Sequence, residues 1–132
     1  MGGKMFDIDC PVGVIEALAY IAWSDQRIAP EERMQLEGLA AALEVDEAGA
    51  AAVQQALAAR PSLESIAAKL TDPVEARFAV TQAILLALAD GEYSSIERRD
   101  VVALAAALNI PGDDLRAMEA EVEAAYLAPR GT

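Results

Sequence analysis

The feature that most limits the fold of this 132-residue chain is a helical spacing of apolar residues that restarts after each proline or capping residue. Apolar residues recur every three or four positions from Val12, and the pattern restarts at Pro30, a residue that suits the first position of a helix. Asp72-Pro73 signals another start, because it joins a capping side chain to a first-position proline. The sequence predicts a compact all-α bundle of about seven helices, over residues 12–23, 30–43, 47–60, 62–70, 73–89, 95–108 and 113–126.

Composition supports helices rather than a sheet. The chain is 55% hydrophobic but only 5% aromatic, and much of the apolar content is alanine, the best helix former and a poor strand former. Its length suits one domain over residues 1–132, with residues 1–8 expected to be loosely ordered. The apolar stretches fall short of the roughly 18 residues of a membrane span, and Cys10 is the only cysteine. We therefore predict a cytoplasmic protein that does not enter membranes.

The chain also contains an internal repeat. Residues 22–45 align with residues 87–110 at an offset of 65 and without a gap. Both segments run from the end of one predicted helix through a loop and along the next. We expect two pseudo-repeated helix-loop-helix units, over about residues 11–45 and 73–110.

Each repeated unit carries an acidic loop. An aspartate lies at the end of one helix and a glutamate seven residues later, as Asp25 and Glu32 in the first copy and Asp90 and Glu97 in the second. An anion at a helix C-terminus is unfavourable by about 0.3–1 kcal/mol, because the terminal carbonyls already carry partial negative charge. A cation would remove this cost. The sequence predicts a metal site with these carboxylate ligands: Asp25, Glu32, Asp90, Glu92 and Glu97.

The available donors restrict the metal. The chain has no histidine and one cysteine, so zinc, copper and iron are poor candidates, whereas calcium, magnesium and manganese accept ligand sets made entirely of oxygen. A second interpretation needs no metal. The aspartates can form Asx-turns, the glutamates can cap their own helices, and arginines can supply the positive charge. Four arginines flank the two loops: Arg27, Arg33, Arg98 and Arg99.

Other side chains are predicted to have structural roles. The larger aromatic residues are expected to anchor the core, as Tyr20, Trp23 and Phe78. An acidic run in the last helix is interpreted as a solvated face, formed by Glu119, Glu121 and Glu123.

Short segments of the two loops carry a resemblance to a known family. They are Ala22–Asp25 with Pro30–Arg33 in the first copy, and Leu88–Glu92 with Ser95–Arg98 in the second. Together with the two-copy layout they resemble the tellurite-resistance TerB family. The resemblance implies a compact all-helical fold, an acidic surface, binding of a divalent metal and a role in stress or phage defence.

The family pattern falls on Asp90, Gly91 and Glu97 in the second copy and on Asp25 and Glu32 in the first. The first copy departs from it, because Gln26 replaces the glycine and Arg27 stands where the second copy has Glu92. The resemblance therefore implies a better cation site in the second loop than in the first.

Charge selects among possible partners. The formal net charge is −12, so phosphate backbones and anionic membranes are repelled, and cations and basic protein surfaces are attracted. We expect a TerB-like, stress-associated binding protein without enzymatic activity, which holds a divalent cation and contacts a basic protein partner. The alternative is a metal-free acidic interaction module, of the co-chaperone or scaffold type, that binds through its acidic face or an apolar groove.

Overall fold

The computed structural model describes residues 11–25, 28, 30–89 and 95–127, without the side chains of residues 25, 89, 126 and 127. In this part of the chain there are seven α-helices and no strand, which confirms the predicted all-α class. A 3-10 turn, Trp23–Asp25, continues the first helix. The expectation for residues 1–8 lies outside the described residues. The helices are α1 (Pro11–Ala22), α2 (Pro30–Ala42), α3 (Glu47–Ala58), α4 (Leu63–Lys69), α5 (Pro73–Ala89), α6 (Ser95–Ala107) and α7 (Gly112–Leu127).

Local capping explains where several helices begin. The Asp46 carboxylate accepts a hydrogen bond of 2.8 Å from the backbone N–H of Gly49, and the Ser62 hydroxyl accepts one of 3.1 Å from Ser65. The Asp72 carboxylate accepts one of 2.8 Å from the N–H of Val74. Each bond satisfies a backbone donor that the first turn of a helix leaves without a partner.

The core is built around α1 and α5, which pack against each other. Helix α1 also contacts α2, α3, α4 and α6, and its residues from Gly13 to Ala22 are buried, except for the half-buried Tyr20. Helix α5 also contacts α6 and α7. The largest fully buried side chains come from six of the helices: Ile15, Ile21, Leu36, Ile66, Ile84, Leu104, Val14, Val53, Val80 and Val101.

Helices α1 and α4 approach each other closely at Gly13. A Cβ atom on Gly13 would lie 2.9 Å from Cγ of Leu70 and 3.1 Å from Cβ of Lys69. Leu70 is itself buried, so it has little room to move. The absence of a side chain at position 13 therefore sets the distance between these two helices.

The aromatic anchors lie at the edge of the core. Tyr20, Trp23 and Phe78 are partly buried and pack against the core cluster. The indole Nε1 of Trp23 donates a hydrogen bond of 2.9 Å to the carbonyl of Ala56, so its polar group is satisfied by α3. Among the helices of the described part, none combines the length and apolar character needed to cross a lipid bilayer.

Candidate functional site

Two of the five predicted metal ligands can be located. Glu97 lies in the first turn of α6 and is buried, with 8% of its surface exposed. Glu32 occupies the equivalent position in the first turn of α2 and is partly exposed. Both take part in polar or electrostatic interactions. The side chains of the other three predicted ligands lie outside the described residues: Asp25, Asp90 and Glu92.

Helix α6 carries a second buried carboxylate, Asp100, one turn after Glu97. Residues three apart are neighbours on a helix surface, so both acids lie on the same side of α6. The hydroxyl of Ser24 donates a hydrogen bond of 2.7 Å to the Asp100 carboxylate. Ser24 lies in the 3-10 turn that follows α1. This bond holds the beginning of the first acidic loop against the helix that follows the second.

Arg60 provides the positive charge beside Asp100. Its Nη2 donates to the Asp100 carboxylate at 2.7 Å, and its Nε donates to the backbone carbonyl of Tyr20 at 3.2 Å. The guanidinium carbon lies 4.0 Å from the centre of the Tyr20 ring, within cation–π range. Arg60 therefore links the segment between α3 and α4 to both α1 and α6. We call Tyr20, Ser24, Arg60 and Asp100 the Asp100 junction.

The exposure of the two partners shows how the junction is arranged. The Asp100 side chain is 8% exposed, whereas that of Arg60 is 36% exposed. The carboxylate is thus enclosed by protein while the guanidinium reaches it from the surface. Arg99 adds a weaker contact, with its Nε 3.8 Å from Asp100 and its side chain 76% exposed. The junction is consequently held by hydrogen bonds from Arg60 and Ser24 more than by Arg99.

Two further buried carboxylates form ion pairs between helices. Glu16 of α1 accepts hydrogen bonds from Nζ of Lys69 at 3.0 and 3.2 Å and from the Ser65 hydroxyl at 3.1 Å. Glu119 of α7 accepts two hydrogen bonds of 3.2 Å from Arg98 of α6. Each pair joins two elements of the fold and satisfies a carboxylate that burial would otherwise destabilise.

The interpretation of Glu119 as part of a solvated face is wrong. Glu119 is buried, with 7% of its surface exposed, whereas Glu121 and Glu123 are exposed as expected. Position 119 follows the buried Met118 and faces α6, where Arg98 reaches it. Arg33 also has a defined partner on another helix, since its Nη2 donates to Gln54 of α3 at 3.1 Å.

The chemistry of this site is that of oxygen donors and fixed positive charges. Within the residues whose side chains are described, no three acidic or cysteine side chains are grouped to hold a metal ion. Glu97 is the one predicted ligand in the described part of the chain that is buried, and it lies one turn from the ion-paired Asp100. Glu97 and Asp100 supply carboxylate oxygens, and Arg60 brings a positive charge to Asp100.

Sequence reasoning identified Glu97 but missed the Asp100 junction. Asp100 lies outside the segments that resemble a known family, and Gln35 stands at its equivalent position in the first copy. The only feature of the sequence that points to Asp100 is its position three residues after Glu97, and this spacing of acids is common on solvated helix faces. Arg60 is 40 residues away from both Tyr20 and Asp100, so no local pattern connects it to either.

Comparison of the chain with family models, with curated proteins and with solved structures finds no match. The resemblance to the TerB family therefore rests on the short loop segments and the two-copy layout.

Proposed function

We propose that this chain is a TerB-like, non-enzymatic binding protein of the cytoplasm, which holds a divalent cation with the carboxylates of its acidic inter-helix loops. The observation that carries the proposal is the hydrogen bond between Ser24 and Asp100. It joins the residue before Asp25 to the helix that carries Glu97.

Two of the proposed metal ligands lie close in sequence to the residues that form this bond. Asp25 follows Ser24 in the chain, and Glu97 lies one turn before Asp100 on the same side of α6. We infer that Asp25 and Glu97 act as ligands together with Asp90 and Glu92 of the second loop. Glu32, at the start of α2, contributes from the first copy. An ion held there would join the end of α1 to the start of α6.

The donor chemistry favours calcium, magnesium or manganese. Carboxylate and carbonyl oxygens are the preferred ligands of these hard cations. The partial negative charge at the C-terminal end of α5 adds to the attraction, because the second loop follows that helix end. The ion would stabilise the two helix pairs or bridge to a basic surface of another protein, and stress-related functions of the TerB type would follow from that binding.

The proposal is tested by thermal melting of the purified chain in EDTA and in millimolar calcium, magnesium or manganese. An ion present at 100 times its Kd stabilises the folded state by about 2.7 kcal/mol, so at least one metal should raise the Tm. Glu97→Gln should reduce this increase. Glu121→Gln is the matched control, because it makes the same change in charge at an exposed position of α7. A melting curve that no metal shifts would contradict the proposal.

A metal-free interaction module is the second candidate, and the interhelical ion pairs favour it. Glu16, Asp100 and Glu119 each receive a Lys or Arg side chain from a different element, so this fold neutralises buried acids with its own cations. In this case the acidic surface serves a basic protein partner directly. Changing the exposed acids Glu31 and Glu121 to amides would then weaken capture of that partner, and no metal would raise the Tm of the native chain.

A further inference from the structure

Helix α5 has a flank that its neighbours cover only in part, called here the open flank. Its apolar residues are distributed around the helix rather than gathered on one side, a pattern typical of a helix that is largely buried. One side packs against α1, α6 and α7 as expected. The other side is only partly covered, and it carries Phe78, Gln82, Leu85 and Leu86. Apolar surface of this kind is stabilised when a further element covers it.

The open flank forms one wall of a groove. Helices α2 and α5 both pack on α1 but do not pack against each other, so a channel remains between them. It encloses about 270 Å³. This volume lies just below the roughly 300 Å³ at which small-molecule pockets begin, and it suits inserted side chains better. The lining residues are Leu18, Gln35, Leu36, Leu39, Gln82, Leu85 and Leu86.

The charges beside the groove select the occupant. Helical spacing places Glu31 and Glu32 on the same flank of α2 as Gln35 and Leu39. The single basic residue of α2, Arg33, is on the opposite flank, where it bonds Gln54 of α3. The single basic residue of α5, Arg77, bonds Asp114 of α7. Within the described residues, the two walls therefore present amides and leucines, and the acids of α2 lie at the edge of the groove.

We propose that this groove binds an amphipathic helix of another protein, with an apolar face that enters between α2 and α5 and basic residues on its flanks. Leucine-type side chains at spacings of three and four residues match a channel between two helices. The basic flanks match the acidic edge of α2 and the net charge of −12. That same charge opposes a second copy of this chain as the occupant. The inference rests on the proposed role as a binding protein but requires no cation.

The test uses two synthetic peptides of about 18 residues, long enough to form a helix. Both contain the same leucines and lysines. In the first peptide the leucines fall on one helical face, and in the second they are permuted so that no face forms. Fluorescence anisotropy with the full chain in EDTA should show saturable binding of the first peptide and at least about tenfold weaker binding of the second.

Variants then locate the binding site. Leu39→Gln and Leu85→Gln should each weaken binding of the first peptide by about tenfold or more, because each removes an apolar wall. Met34→Gln is the matched control: Met34 is 71% exposed on another side of α2, and binding should change less than about twofold. Circular dichroism and melting of each variant verify the fold.

A second pair of variants tests the charge at the groove without removing a leucine from its walls. Gln35→Arg adds a positive charge at the groove edge and should weaken binding, whereas Met34→Arg adds the same charge elsewhere on α2 and should have a smaller effect.

Equal binding of the two peptides would overturn the proposal, because it would show attraction by charge alone. Equal effects of the groove and control variants would overturn it as well. Dimers that form with increasing concentration and dissociate in Leu85→Gln, seen by sedimentation velocity, would assign the groove to a second copy instead. Because the peptides are tested in EDTA, failure here and failure of the proposed cation site are separate results.

Discussion

Asp100 shows how a single charged residue can organise this fold. A carboxylate with little solvent exposure is tolerated only when hydrogen bonds and opposite charge replace its water. Ser24 and Arg60 provide both, each at 2.7 Å. Because Arg60 also bonds the carbonyl of Tyr20, the same guanidinium fixes the last turn of α1. The packing of the last turn of α1 against α6 thus involves an arginine that is distant in sequence.

We predict that Arg60→Met destabilises the chain by about 1–3 kcal/mol, because it leaves the Asp100 carboxylate without its main positive partner. Adding Asp100→Asn should recover part of this loss, since the neutral amide no longer requires a cation and still accepts from Ser24. Urea denaturation of the two single variants and the double variant measures the coupling.

Arg116→Met is the control for this cycle. Arg116 pairs with Asp113 on the surface, where the side chains are 67% and 89% exposed, so its loss should cost less than about 1 kcal/mol. If the losses in unfolding free energy from Arg60→Met and Asp100→Asn simply add in the double variant, the two side chains do not stabilise the fold through their interaction.

Only those residues of the site that belong to a short sequence pattern could be predicted. Glu97 was identified because an acid in the first turn of a helix, seven residues after an aspartate, is a local pattern. Arg98 was expected near the acidic loop, but its partner Glu119 lies on another helix, and sequence spacing does not encode which helices face each other. Long-range partners such as Arg60 require the tertiary arrangement itself.

Helices α2 and α6 end in the same way. Glu44 and Asn109 follow these helices with φ of 59° and 62°. After α2, the N–H of Val45 bonds the carbonyl of Ala40 and the N–H of Glu44 bonds that of Ala41; the corresponding bonds after α6 start from Ile110 and Asn109. This is the Schellman pattern of helix termination, at positions that differ by the offset of the sequence repeat.

These two helix ends give a prediction with an internal control. Left-handed backbone costs most side chains about 1–2 kcal/mol, costs asparagine less and costs glycine almost nothing. Glu44→Gly should therefore stabilise the chain by about 0.5–1 kcal/mol, and Asn109→Gly should stabilise it less. The difference is measured by urea denaturation of both variants. A loss of stability in Glu44→Gly would indicate that the Glu44 side chain makes a contact worth more than the backbone strain.

Helix positions were predictable because their signals are local. Both ends of each predicted helix lie within two residues of those observed, and Asp46, Ser62 and Asp72 cap helices where the pattern placed their starts. The packing of those helices was harder to predict from the sequence. Helix α5 packs on α1, but its open flank toward α2 depends on how two distant helices are spaced on α1.

Taken as a whole, the molecule has more negative charge than its own cations can balance. It contains 22 acidic and 10 basic residues. Several of the basic side chains are committed to interhelical contacts, including Arg60, Lys69, Arg77 and Arg98. The remaining negative surface lowers the free energy of binding for cations and basic partners and opposes self-association. The proposed cation site and the groove between α2 and α5 both depend on this imbalance.

The most direct test of the cation site is a titration of manganese into the metal-free chain, with unbound Mn²⁺ measured by electron paramagnetic resonance. Our account predicts a saturable class of sites in the native chain, weakened by Glu97→Gln and by Asp90→Asn but not by Glu121→Gln. Competition by calcium or magnesium would identify the preferred ion. Manganese that stays unbound at millimolar concentration, or that binds equally to the native chain and all three variants, would contradict the account.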